Sequence, residues 1–165
     1  MSNQQQNNPT QPQMTQQAPP VITLEDQLKK LQDKWTAEIT ELNGMMKTIQ
    51  KLDELLNVIY TKRQEAVDYY HGINTVILKQ SKEYKVAYNG IINRVRQTGM
   101  NGVRIQNESA LGKIAENELV DKKESIDLLA NHNSFIKETI QTIDNMIYGI
   151  NQKVKIAEML NGIKF

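Results

Sequence analysis

The positively charged side chains of this chain concentrate in its middle, between residues 71 and 104. This basic block has a net charge of +5 because Glu83 is its only acidic residue, whereas the whole chain is +1. Lys and Arg neutralise phosphates and release counterions, so the block is a candidate nucleic-acid interface, although it could also be an ordinary solvated helix face. Its basic residues are Lys79, Lys82, Lys85, Arg94, Arg96 and Arg104.

Two tyrosines lie among these basic residues. Tyr84 and Tyr88 are four positions apart, which places them on one face of a helix, next to Lys82 and Lys85. Bases of a single strand stack on aromatic rings for about 1 to 3 kcal/mol each. The pattern therefore predicts a single-stranded nucleic-acid interface, with Arg104 as a looser member; Tyr84 also falls in a heptad phase typical of core residues.

No residue pattern indicates catalysis or metal binding. The chain has no Cys, and its two histidines, His71 and His132, lie far apart in the sequence. It contains no recognisable phosphate-binding loop, nucleophile motif or paired carboxylates. We therefore expect a non-enzymatic protein with no cofactor and no metal.

The first twenty residues differ from the rest of the chain. They hold all four prolines and many glutamines, and they carry no charged side chain. Such a segment buries too little apolar area to offset its ordering entropy, so we predict a disordered tail over residues 1–22, either a solubilising leader or a partner-docking peptide. With no signal peptide and no apolar stretch of about 20 residues, we expect a cytoplasmic protein with no membrane partner.

Heptad spacing predicts long helices in the remaining domain, 23–165. Thr23 followed by Asp26 is typical of a helix N-cap. Apolar residues then recur every seven positions in two series, which predicts a helix over about 24–70 that only Glu38 and Arg63 interrupt. The series are Leu28, Trp35, Leu42, Ile49, Leu56, Arg63, Tyr70 and Leu31, Glu38, Met45, Leu52, Ile59, Ala66.

The same phase continues into a basic helix over about 73–97. Whether this helix is separate or an extension through Gly72 is open from the sequence. Gly99 and Gly102 favour turn conformations, which predicts a loop over 98–106.

The last predicted helix, about 108–161, follows a candidate N-cap at Asn107 and carries the strongest heptad pattern. Asn133 is polar on this seam, where it either sets register or faces solvent. The fold class is therefore all-α, with coiled-coil-like helices in an antiparallel hairpin or a three-helix arrangement. Two rods cannot cover so much apolar surface, so we expect a homo-oligomer. The predicted oligomer seam is Ile126, Leu129, Asn133, Ile136, Ile140, Ile143, Ile147, Ile150 and Val154.

Short matches spread over the chain resemble the UvsY-like recombination mediators of tailed phages. Tyr69-Tyr70-His71-Gly72 resembles a Tyr-Tyr-x-Gly element at the end of a helix in that family. Lys34-Trp35 is similar to its early Lys-aromatic pair, and Val154-Lys155-Ile156 with the terminal Phe165 is similar to its basic-apolar ending. The chain departs from the family at Asn151-Gln152-Lys153 and over most of the basic block, so no ligand residue is carried over there.

The resemblance implies a ring-like helical homo-oligomer that binds single-stranded DNA. Such a protein helps to load a RecA-type recombinase onto strands coated by a single-strand-binding protein, in the host cytoplasm. The alternative is a phage virion structural or assembly protein, such as a scaffold, connector or tail component, whose coiled coil binds only protein. An adaptor that holds partner helices is a third hypothesis, which the sequence does not distinguish from the second.

Overall fold

The computed structural model describes residues 22–46, 52–99, 104–105 and 107–162. Within these ranges the chain forms four helices, α1 (Leu24–Met45), α2 (Leu52–Thr98), α3 (Glu108–Glu118) and α4 (Val120–Asn161), and no strands. The all-α prediction is confirmed. The predicted tail lies outside the described residues apart from Ile22, as does much of the predicted loop.

Helix α1 begins at a capping box. The Thr23 hydroxyl accepts a hydrogen bond from the Asp26 N–H at 3.1 Å, and the Thr23 N–H donates to the Asp26 carboxylate at 3.3 Å. The hydrogen bonds from the Thr23 side chain and backbone lower the pKa of Asp26. The predicted N-cap is confirmed, because a capping box depends only on residues within one turn.

The structure divides the predicted 24–70 helix into two. Helix α1 ends at Met45 and α2 begins at Leu52. The end of α1 follows Asn43-Gly44, which are weak helix formers. The chain reverses between α1 and α2, since Glu38 Oε2 of α1 lies 3.2 Å from Lys62 Nζ of α2.

Helix α2 continues through Gly72 for 47 residues. It joins the second part of the predicted 24–70 helix to the predicted basic helix in one rod of about 70 Å. It ends at Thr98, where Gly99 has a φ of 72° that favours glycine.

Helices α3 and α4 return antiparallel to α2. The Asn107 side chain caps α3 by accepting from the Ser109 and Ala110 N–H groups at 2.9 and 3.4 Å. The predicted 108–161 helix is interrupted at Leu119, whose φ of −115° and ψ of 15° separate α3 from α4. The buried Leu119 side chain holds this bend against the core.

The core is widest where α1, α2 and α4 meet. Trp35 and Leu42 of α1 pack in one cluster with Ile59 of α2 and Ile136 and Ile143 of α4. Helices α1 and α2 run antiparallel and advance by the same length per residue. Counted from the Glu38–Lys62 contact, the first residue of α1 therefore lies near the level of Val76 on α2. The described residues therefore form a three-helix bundle at one end of α2 and an antiparallel hairpin of α2 with α3 and α4 at the other.

The predicted oligomer seam packs inside the single chain. Its buried members are Leu129, Asn133, Ile136, Ile143 and Ile150, and its half-buried members are Ile126, Ile140, Ile147 and Val154. The sequence predicts an uncovered apolar stripe only if the chain forms a hairpin of two helices. Because α1 folds back onto α4, intramolecular contacts already cover much of this seam.

Candidate nucleic-acid interface

Three lysines line the outer face of α2 in its two-helix part. Lys79, Lys82 and Lys85 are all exposed, and within the described residues none of them forms an ion pair. Their spacing places them within about 120° of the helix circumference. Leu78 (64% exposed) and Val86 (67% exposed) lie on the same side. We call this surface the lysine face; it combines unpaired positive charge with accessible apolar groups.

The two arginines of α2 are already paired with α3. Arg94 Nη2 lies 2.5 and 2.8 Å from the Glu118 carboxylate oxygens, and Arg96 Nη2 lies 2.6 Å from Glu108 Oε1. Both pairs are largely exposed, where an ion pair contributes about 0 to 1 kcal/mol. These arginines therefore join α2 to α3, and their charges are locally balanced.

The two tyrosines of the predicted interface lie against each other on α2. Tyr84 and Tyr88 are half-buried and stack on each other, with ring centroids 6.1 Å apart and planes at 26°. A Cβ atom at Gly112 of α3 would lie 3.0 Å from the Tyr88 hydroxyl, so that hydroxyl packs closely against α3. Lys82 is two residues from Tyr84, about 200° around the helix. The structure therefore does not bring both tyrosines and all three lysines into one open surface.

Arg104 is exposed in a short described segment with Ile105. Residues 100–103 and 106 lie outside the described part of the chain, so Arg104 is not connected to the lysine face by any described contact. Of the eight sequence-predicted interface residues, the three lysines form the one open and unpaired group.

The two residues that interrupt the heptad series are both ion-paired between helices. Glu38 forms an ion pair with Lys62, and Arg63 Nε donates a hydrogen bond to Asp144 of α4 at 2.5 Å. The hydrogen bond to Asp144 raises the pKa of Arg63. The pKa of Lys62 is also raised, mainly by its hydrogen bond to Glu65 and further by Glu38. The sequence signal for these contacts was present, since each charged residue stands at a position that faces a neighbouring helix.

Two open cavities lie along the side of the bundle that carries α1. One, of about 190 Å³, lies between α1 and α4; the other, of about 260 Å³, lies beyond the start of α1, between α2 and α4. Gln80, Glu83, Asp121, Lys122, Ser125 and Ile126 line the second cavity. Most of its lining residues are polar, and among the described residues only α2 and α4 contribute to it.

The described residues contain no cluster of His, Cys, Asp or Glu side chains that could hold a metal ion. Among the helices of this part of the chain, none has the length and apolar character to cross a membrane.

Comparisons with protein-family models, with curated proteins and with solved structures found no match to this chain.

Proposed function

We propose that this chain is a non-enzymatic, single-stranded DNA-binding accessory protein of phage recombination or replication. The observation that carries the proposal is the lysine face, where Lys79, Lys82 and Lys85 are exposed on one side of a rigid helix without acidic partners among the described residues. The expected role is that of a recombination mediator, which helps to load a RecA-type recombinase onto strands coated by a single-strand-binding protein.

Phosphate contacts would supply the affinity in this proposal. Each lysine that neutralises a phosphate releases counterions, and the aliphatic stems and Leu78 offer apolar contacts to bases or sugars. Tyr84 and Tyr88 are half-buried and stack on each other, so in this proposal base stacking contributes less than the lysines do. Binding by one chain would be modest, so the proposal includes a homo-oligomer in which repeated lysine faces bind one strand with avidity.

The proposal is tested by replacing the three lysines. In Lys79→Gln/Lys82→Gln/Lys85→Gln we expect at least a tenfold loss of affinity for a labelled single-stranded oligonucleotide at low salt. The slope of log affinity against log salt should fall by about 2, since each phosphate contact contributes about 0.7 on a single strand. Binding is measured by fluorescence anisotropy over a salt series.

The matched control removes the same charge elsewhere. Lys113, Lys137 and Lys153 are also exposed, and Lys113→Gln/Lys137→Gln/Lys153→Gln should retain most of the affinity. Equal losses in both triple variants would mean that net charge, not the lysine face, drives binding. No detectable binding by the unaltered chain at low salt would exclude the DNA-binding proposal.

A second candidate function, a virion structural or assembly protein, is favoured by a different observation. The last turns of α4 expose large apolar side chains, among them Ile156, Met159 (83% exposed) and Leu160 (81% exposed). Exposed apolar side chains this close together are typical of a protein interface. This candidate predicts a mass above that of one chain, no oligonucleotide binding, and recovery of the chain in purified particles.

A further inference from the structure

A histidine is buried beside the main hydrophobic cluster. His132 of α4 is 1% exposed, and its Nε2 lies 3.0 Å from the hydroxyl of Tyr69 on α2. Its ring stacks on Phe135, with centroids 6.2 Å apart. Its Nδ1 is buried and has no hydrogen-bond partner among the described residues.

This imidazole lies between α2 and α4, beside the cluster in which α1 joins them. Tyr69 connects it to α2, and Phe135 connects it to α1, because Phe135 and Trp35 line the cavity between α1 and α4. Both aromatic neighbours of His132 pack against the main hydrophobic cluster. A change in the charge of His132 therefore acts on the interface that holds α1.

The surroundings fit only the neutral ring. In the neutral Nε2–H tautomer, His132 donates to the Tyr69 hydroxyl and Nδ1 carries no proton. The protonated ring has two N–H donors, and the one at Nδ1 has no acceptor in the described structure. Burial lowers the pKa of His132 and raises that of Tyr69, so the tyrosine stays neutral beside it.

No carboxylate of the described residues bonds the imidazole. The charged side chains and the histidine nearest to it along each packed element are exposed, and Tyr70 on α2 is half-buried. The exposed residues are Lys29, Lys30 and Asp33 on α1, Asp68 and His71 on α2, and Asp127, Lys137 and Glu138 on α4. A positive charge at His132 would therefore have to reach water.

We propose that His132 is a pH-sensitive switch whose protonation releases α1 from α2 and α4. Helix α1 is the element expected to move, because it is the shortest of the three and packs mainly on α4. The α2–α4 pair is the more extensive interface and also carries the Arg63–Asp144 ion pair. Release would expose Trp35 and the apolar side of α4 for a new partner or for another copy of the chain.

The direction of the pH effect follows from the lowered pKa. In the released state His132 titrates near its ordinary value of 6.5, and in the docked state it titrates lower. The docked state therefore has its full advantage above pH 6.5. The stability of the docked state relative to the released state decreases as the pH falls from 6.5 to the pKa of His132 in the docked state. Below that pKa it does not change further.

The chain carries its own reporter, since Trp35 is its single tryptophan. Between about pH 7.5 and about pH 5, we expect Trp35 emission to shift to longer wavelength, while far-ultraviolet circular dichroism stays mostly helical. His132→Gln keeps a neutral partner for Tyr69 and should remove the transition. His71→Gln removes the other, exposed histidine and should retain it.

His132→Phe is a second variant that cannot titrate, in case the glutamine does not fold. A flat emission wavelength in the unaltered protein, or the same transition in a folded His132→Gln or His132→Phe variant, would overturn the proposal. Loss of helical signal in step with the Trp35 shift would also overturn it, because the event would then be global unfolding. These outcomes do not depend on DNA binding.

Discussion

At the scale of single residues, Asn133 has the most unusual environment in the α4 seam. It is 7% exposed among isoleucine and leucine, and its Oδ1 has no hydrogen-bond partner among the described residues. A buried carbonyl oxygen without a partner costs about 1 to 3 kcal/mol. Of the two sequence hypotheses, register or solvent-facing, the buried position excludes the second.

We predict that Asn133→Ile raises the free energy of unfolding by about 1 to 2 kcal/mol, because it replaces an unsatisfied amide by an apolar group. Urea unfolding measures the change. Asn131→Ile, at an exposed position of the same helix, is the control and should change stability by less than about 0.5 kcal/mol. A less stable Asn133→Ile would mean that the amide has a role in packing, and a changed solution mass would indicate a role in register.

The fully buried isoleucines give a second residue-scale prediction. Ile59→Ala should lower the free energy of unfolding by about 2 to 5 kcal/mol, because Ile59 is completely buried where the helices meet. Val58→Ala, at the neighbouring and exposed position, should cost much less in the same urea unfolding measurement. Similar costs for the two variants would contradict this arrangement of the core.

At the scale of elements, the helix caps and the reversal after Thr98 were predicted from the sequence, whereas the reversal between α1 and α2 was not. The N-caps at Thr23 and Asn107 were predictable because their hydrogen bonds reach only two or three residues along the chain. The reversal between α1 and α2 was missed because the apolar spacing runs through it without a change of phase. The pairing of Arg94 with Glu118 depends on the register between α2 and α3, which no local pattern contains.

The capping box of α1 can be tested alone. Thr23→Ala removes the acceptor for the Asp26 N–H and should cost about 1 kcal/mol of stability. Thr61→Ala is the matched control, because Thr61 lies inside α2 and its hydroxyl bonds a backbone carbonyl four residues earlier. Alanine is a better helix former than threonine inside a helix, so the unfolding midpoint of Thr61→Ala should be unchanged or higher. A control that loses as much stability as Thr23→Ala would contradict the capping explanation.

At the scale of the whole molecule, the described residues form two parts. In one part α1 packs on α2 and α4, and in the other α2 packs on α3 and α4 beyond the start of α1. Sequence reasoning identified the helical class and the basic block, and the heptad phase of Tyr84 offered a core position as an alternative to an open one; the structure has Tyr84 half-buried. It could not identify which of the basic residues are unpaired, because that depends on which acidic side chains α3 brings next to α2. The candidate site was therefore predictable as a region, and only three of its residues remain as an open group.

Assembly can be tested through the exposed end of α4. If a second copy covers this end, the unaltered chain should have a solution mass of at least two chains in multi-angle light scattering. Met159→Asp/Leu160→Asp should then shift that mass towards one chain, since it would bury two carboxylates in the contact. Val86→Asp, at a similarly exposed valine on α2, should leave the mass unchanged. A single-chain mass for the unaltered protein would remove the oligomer from the proposal.

The continuous helix α2 runs from the hydrophobic cluster at one end of the molecule to the hairpin tip at the other. Because α2 is one uninterrupted helix over Leu52–Thr98, it acts as a spacer. Anything bound near the hairpin tip is held on the order of 70 Å from anything bound where α2 begins. If several copies of the chain were joined at one end of α2, the other end of each copy would point away from the joint. The length of α2 would set the distance from the joint to each free end.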